Sequence, residues 1–182
     1  QHLSPDFKSV MAELLSRHTL MRIEAVAEPT PLAANTIYLL PPKKEMVFEG
    51  GLLCTRDRPT DHQLSMPINL FFRSLAREFG ERGIGIVLSG TGTDGSAGLV
   101  DIHDLGGLVL VQNEESAKFD GMPRAAIATG KVDAILAPEE MPATLAAYVR
   151  NPAIPLAQGI GLRSVSEALI GVPAIIEKLR EV

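Results

Sequence analysis

Apolar and polar positions run through this chain in two rhythms, and the rhythm changes near residue 84. Ahead of it the pattern is mixed. In "DFKSVMAELLSRH" the apolar residues Phe7, Val10, Met11, Leu14 and Leu15 recur at helical spacing, and Asp6 after Pro5 is a suitable N-cap. "MRIEAVA" alternates as a short strand. "NTIYLLPPKKEMVFEGGLLCTRD" reads as strand, Pro-Pro break, strand, Gly-Gly turn and strand, a β-hairpin excursion. "MPINLFFRSLAREFGERG" predicts a helix with Leu70, Phe71, Leu75 and Phe79 on one stripe, stopped at Gly80 or Gly83.

After that the rhythm becomes regular. "IGIVLSG" is a nearly continuous apolar strand, expected to be buried on both faces. A helix, "SAGLVDIHDLGG", follows, then a second buried strand, "LVLVQ". "MPRAAIATG" is a short helix with Pro123 in its first turn. "VDAILAP" is a third strand and "EEMPATLAAYVR" a helix. Alternation of this kind predicts an α/β fold: a doubly wound, mainly parallel sheet with helices on both faces, here with the hairpin excursion added. The expected organisation is one domain over residues 1–149, a Pro/Gly-rich linker over 150–165 and a C-terminal helix over 166–182, a candidate connector to a further domain. The chain opens on Gln1 and closes inside the helix-like run "SEALIGVPAIIEKLREV", so the expectation is a piece of a longer polypeptide.

Composition narrows the function classes. With 182 residues, 46% of them hydrophobic, the chain fills a sizeable core. A net charge of −5 argues against an electrostatic grip on nucleic acid or an anionic membrane. One cysteine, Cys54, excludes an internal disulfide framework and a multi-cysteine zinc site, and is expected to be a half-buried, passive thiol. No apolar run is long enough to span a membrane and no signal peptide is read, which makes a cytoplasmic location the default.

Candidate chemistry gathers in "LSGTGTDGSAGL", where four glycines surround a single acid, Asp94, just past a predicted parallel strand. Ligands and catalytic groups collect at the carboxyl ends of such strands. A phosphate cradle does not fit: no Gly-Lys-Ser/Thr follows, the dinucleotide spacing is absent, and an acid inside the loop repels phosphate. Two readings stay open. Asp94 caps the helix that follows while the glycines permit a tight turn, or Asp94 orients a histidine for acyl transfer. Of the four histidines, His18 and His103 fall in predicted helices and His62 in a polar loop, as expected of surface residues. His2, in "QHLSPDF", sits where a strand would give way to the first helix, and from the residues alone it reads either as a further surface histidine or as the partner of Asp94.

Taken together, "QHLSPDF", "NTIYLLPP", "GIGIVLSGTGTDGSAGL", "LVLVQNEESAKFDGMPRAAIATG" and "VDAILAPEEMPATL" make the chain resemble the CheB family, the chemotaxis receptor methylesterases, from Gln1 to about Val149. It resembles most the forms fused to a CheR-type methyltransferase. The resemblance implies an α/β domain that hydrolyses glutamate methyl esters on methyl-accepting chemoreceptors, in many members also deamidating glutamine, with a Ser-His-Asp triad, no cofactor and no metal. It places the triad histidine at His2 and the acid at Asp94. It also makes the Thr91 backbone N–H an oxyanion-hole donor, and Met122 and Arg124, in "FDGMPR", substrate contacts. Asn69 stands where the family commonly has Asp, and no mechanistic weight is assigned to it. The family serine lies in a glycine-rich turn upstream of the histidine, hence ahead of Gln1. Ser4, Ser89 and Ser96 lack that strand-turn-helix setting.

The runner-up reading is a non-catalytic module of the same fold that binds receptor tails or a methyltransferase partner. An unrelated α/β hydrolase would need the order Ser–Asp–His, whereas here the histidine precedes the acid. No receiver domain is read in the chain, so phosphorylation control by an attached domain is not assumed.

Overall fold

The computed structural model describes residues 11–59 and 65–150. His2, Ser4, His62, the start of the first helix, residues 151–165 and the helix expected over 166–182 lie outside the described residues. In chain order the elements are α1 (Met11–Ser16), β1 (Arg22–Ala25), β2 (Thr30–Pro31), β3 (Thr36–Leu39), β4 (Lys44–Glu49), β5 (Leu52–Asp57), α2 (Pro67–Phe79), a 3-10 turn at Gly80–Arg82, β6 (Ile84–Val87), α3 (Ser96–Asp104), β7 (Leu108–Gln112), α4 (Gly121–Ile127), β8 (Ala134–Leu136) and α5 (Met141–Arg150).

The second half is a parallel sheet in the order β6-β7-β8, with Ile84 opposite Leu108 and Leu110 opposite Ala134. Alternation along β7 shows why helices cover both faces. Val109 and Val111 point to a core shared with Phe72 and Ala76 of α2, Leu99 and Ile102 of α3 and Ala126 of α4. Leu108 and Leu110 point the other way, onto Met141, Leu145 and Tyr148 of α5. All five β7 residues are buried, as expected of a central parallel strand.

β6 differs from the expectation. Only Gly85 and Val87 are buried; Ile84 and Ile86 are half-buried. Among the described residues β6 pairs with β7 alone, and Ile84 and Ile86 lie on the α5 side of the sheet, at the border of the Leu108, Leu110 and Met141 cluster.

The excursion forms as the turn signals require. β4 and β5 pair antiparallel around Gly50-Gly51, both with positive φ (60° and 81°), and β2 adds to the other side of β5. β1 and β3 pair parallel as a separate two-stranded sheet. Cys54 lies half-buried in β5.

α2 joins the two halves, and its buried stripe is not the predicted one. Pro67, Asn69, Phe72 and Ala76 are its buried residues. Phe71, Leu75 and Phe79, expected on the main stripe, are half-buried against the smaller core of Val26, Met46, Phe48 and Leu53. The helix carries apolar side chains on two faces because it is packed from two sides, and a single-stripe reading picks only one. Gly80, with φ 52°, ends the α-helix, and Gly83 ends the 3-10 turn.

Candidate active site

The loop after β6 leaves the sheet at its carboxyl edge and is held from two sides. On one side it is stitched to the segment entering α4. The Gly90 N–H donates to the Phe119 carbonyl (2.9 Å), the Met122 N–H donates to the Gly90 carbonyl (2.8 Å), and the Phe119 N–H donates to the Ser89 hydroxyl (3.0 Å). Gly90 and Gly121 permit this approach. A Cβ on Gly90 would collide with the Met122 side chain, and one on Gly121 would lie 3.1 Å from the Gly92 nitrogen. Beneath the loop Gln112, buried at the end of β7, accepts the Ser89 N–H through Oε1 (2.8 Å) and donates to the Ser116 hydroxyl (3.1 Å). Ser89 is therefore occupied in fixing the loop, and the Ser96 hydroxyl donates to the Thr93 carbonyl (2.7 Å). Neither serine sits as a nucleophile.

On the other side the loop meets the N-terminus of α2. Asp94 is buried, and both its oxygens accept backbone N–H bonds from the first turn of that helix: Oδ2 from Ile68 (3.0 Å) and Oδ1 from Asn69 (2.9 Å). Those amides are among the four that a helix start leaves without intrahelical partners. The positive end of the helix dipole complements the carboxylate's charge. Asp94 makes a further interaction besides these. The simple capping reading is thereby corrected. α3, the helix that follows, has Gly95 at its N-cap and no side-chain cap bond from it. Asp94 instead caps a helix that begins well before it in sequence, because Gly95, at φ 98°, turns the chain so that the acid faces α2.

Between the two anchorages lies an exposed crest of Thr91, Gly92 and Thr93. Among the described residues no group accepts from their three backbone N–H groups. Gly92 is left-handed (φ 84°) and a Cβ there would meet nothing within 4 Å, so among the described residues nothing covers the crest at that point.

The structure brings Thr91 and Met122 to one edge through the Gly90–Met122 bond and the packing of Gly121 on Thr91 Cα (3.4 Å from an added Cβ). Arg124 is turned aside. Its guanidinium pairs with Asp120 (3.3 Å) and Glu114 (3.5 Å) on an exposed surface. His2 lies outside the described residues. His103 sits in the last turn of α3, the end remote from Asp94, beside Asp104. The Asp104 carboxyl is held below its usual range by the hydrogen bond from Lys131 and then by His103. His18 is exposed after α1. Among the described residues no group of three or more His, Cys, Asp or Glu side chains could hold a metal ion, and no helix is long and apolar enough to cross a membrane.

Two functional-looking residues escape a pattern reading, Asn69 and Gln112. Each is a polar side chain buried at the end or start of an apolar run, in "MPINLFF" and "LVLVQ". Such a residue must satisfy its amide with specific partners, and that is the signal that could have marked them.

Comparison with known proteins agrees with this architecture. The model of the CheB methylesterase family matches residues 1–145. A 104.1 kDa protein of Rhodobacter capsulatus, described as uncharacterized, is 46% identical over 144 residues, which is 78% of this chain and 15% of that protein. A protein-glutamate methylesterase/protein-glutamine glutaminase of Geobacter sulfurreducens is 36% identical over 78% of this chain and 39% of its own length. The corresponding enzyme 2 of Anaeromyxobacter dehalogenans is 31% identical over 82% of this chain and 44% of its own. The chain thus spans less than half the length of these curated relatives. The crystal structure of the Thermotoga maritima CheB methylesterase catalytic domain shares the fold, with a TM-score of 0.71, 21% identity and coverage of 80% of this chain and 79% of that one.

Proposed function

The chain belongs to the CheB methylesterase family, and on that premise we propose that it provides the histidine and acid of a Ser-His-Asp protein-glutamate methylesterase acting on methyl-accepting chemoreceptors in the cytoplasm. The nucleophilic serine is supplied from outside these 182 residues. The observation that carries the reading is Asp94: a buried carboxylate at the carboxyl edge of a parallel sheet, seated by two backbone amides, beside three N–H groups that find no acceptor among the described residues.

The chemistry follows from those groups. A serine hydroxyl attacks the ester carbonyl only when an imidazole takes its proton. His2 does so with one ring nitrogen, while Asp94 accepts the N–H of the other, fixing the tautomer and stabilising the imidazolium. The carbonyl oxygen becomes an oxyanion, which the Thr91 N–H on the crest stabilises. His2 returns the proton to the departing methanol, leaving a glutamyl ester on the serine. Water, activated by the same imidazole, then releases the glutamate carboxylate. Glutamine deamidation is the same acyl transfer with ammonia as leaving group. Met122 forms the wall beside the crest, and Arg124 reaches the receptor segment only by leaving its partners Asp120 and Glu114. A CheR-type methyltransferase domain in the same polypeptide is the partner proposed to rebuild the ester.

The test is methanol release from a chemoreceptor methylated on its glutamates. The 182-residue chain alone releases none above background, whereas a polypeptide that also carries the serine turn ahead of Gln1 does. Turnover by the chain alone would place the nucleophile among its own serines and overturn the assignment.

A further inference from the structure

We infer that Asn69 is the positioning residue of the catalytic acid: it locks the loop that carries Asp94 through an exchange of helix caps between α2 and α3. The inference rests on the reading of Asp94 as the triad acid.

The two helices start face to face, and neither N-cap residue, Met66 or Gly95, makes a side-chain cap bond to its own helix. Each helix takes its cap from the other. Asp94, next to the α3 start, accepts the Ile68 and Asn69 N–H groups of the first turn of α2. In return the Asn69 side chain accepts, through Oδ1, the N–H of Gly95 (3.0 Å) and of Gly98 (2.7 Å). Gly95 and Gly98 are the N-cap and third helical residue of α3, the two positions that a capping box serves within one helix. The bonds form a closed ring. The backbone of residue 69 holds the side chain of residue 94, and the side chain of residue 69 holds the backbone of residue 95.

The orientation of the amide is dictated by its partners. Two N–H donors face one end, so the oxygen belongs there, and Nδ2 donates to the Met66 sulfur (3.2 Å) at the other. Asn69 is buried, and the backbones are too close for an intervening water: a Cβ on Gly98 would lie 2.7 Å from the Asn69 carbonyl oxygen. The acceptor at Oδ1 is therefore what fixes the left-handed Gly95 and, through it, the direction of the Asp94 side chain. A carboxylate at 69 would keep both N–H bonds but would set a second negative charge against Asp94 and the imidazole it orients.

The test uses the polypeptide that carries the serine turn, with Asp94→Asn as the control. Asn69→Ala lowers kcat about thirtyfold with KM within about twofold, the signature of a misplaced rather than a missing group. Asn69→Asp restores the acceptor and recovers kcat to within about threefold at the pH optimum, while the acidic limb of its kcat/KM profile moves up by about half a pH unit or more, because added negative charge favours the protonated imidazole. What a merely structural asparagine would not show is this recovery of kcat when Asn69→Asp restores the acceptor to Gly95 and Gly98. Full activity in Asn69→Ala beside an inactive Asp94→Asn, or no recovery of kcat in Asn69→Asp, overturns the inference. Should Asn69→Ala fail to fold, Asn69→Asp decides alone. Full activity in Asp94→Asn overturns instead the triad reading on which the inference rests.

Discussion

Asp94→Asn, in a polypeptide that supplies the serine, lowers kcat for methyl-ester hydrolysis by about four orders of magnitude, by analogy with loss of the triad acid in serine proteases. The size comes from what the carboxylate does for the imidazole. In the proposed triad it fixes which ring nitrogen carries the proton, and it stabilises the cation that forms as the serine is deprotonated. An amide can present its NH2 to the histidine and hold the wrong tautomer. The fold should survive the change. The amide oxygen still accepts one of the two N–H bonds from Ile68 and Asn69, but the NH2 in place of the other oxygen cannot accept and leaves one N–H unpaired, a cost of about 1–3 kcal/mol. Methanol release and a urea unfolding curve on the same preparation separate the two effects. A folded variant that keeps a tenth of the activity contradicts the role given to Asp94.

The second large effect is expected at Gly98. A Cβ there would lie 2.7 Å from both the Asn69 carbonyl oxygen and Phe72 Cβ, and 2.9 Å from Asn69 Cα. Two of those three atoms belong to the α2 backbone, so no side-chain rotation relieves the clash. Gly98→Val must push α3 off α2, costing about 3 kcal/mol of stability from overpacking. It also stretches the Gly98–Asn69 and Gly95–Asn69 bonds, so activity falls with it. Gly92→Ala is the contrast. Its φ of 84° makes the substitution unfavourable, but nothing lies within 4 Å of the new Cβ, and the cost stays near 1 kcal/mol. Chemical unfolding of the two variants checks the order, and equal losses would show that α2 and α3 are not in the backbone contact described.

These predictions turn on features of unequal visibility in the sequence. The sheet was legible because β7 is apolar at every position but its last, and because Gly and Pro mark the ends of the helices beside it. The excursion was legible from its Pro-Pro and Gly-Gly breaks. Asp94 stood out as the one acid in a glycine-rich loop. Its partners did not, since they are the backbone amides of Ile68 and Asn69, more than twenty residues earlier, and a backbone amide has no signature in a sequence. Asn69 is inconspicuous in the sequence for a related reason. Its importance lies in accepting from Gly95 and Gly98 across a helix–helix contact, which periodicity does not reveal. The two-sided packing of α2 likewise defeats a single-stripe reading. It depends on the excursion folding back over Phe71, Leu75 and Phe79. The half-buried state of Ile84 and Ile86 depends on what packs against β6, which its own residues do not specify.

The claim at the centre of the account is that Asp94 accepts a hydrogen bond from His2. Nitrogen-15 NMR of the histidine rings in the 182-residue chain tests it without any need for turnover. The account predicts that His2 holds one tautomer, shows a downfield ring N–H proton, and loses its proton at higher pH in the wild type than in Asp94→Asn, where the downfield signal is gone. A His2 ring with mixed tautomers and the same titration in both proteins would contradict it.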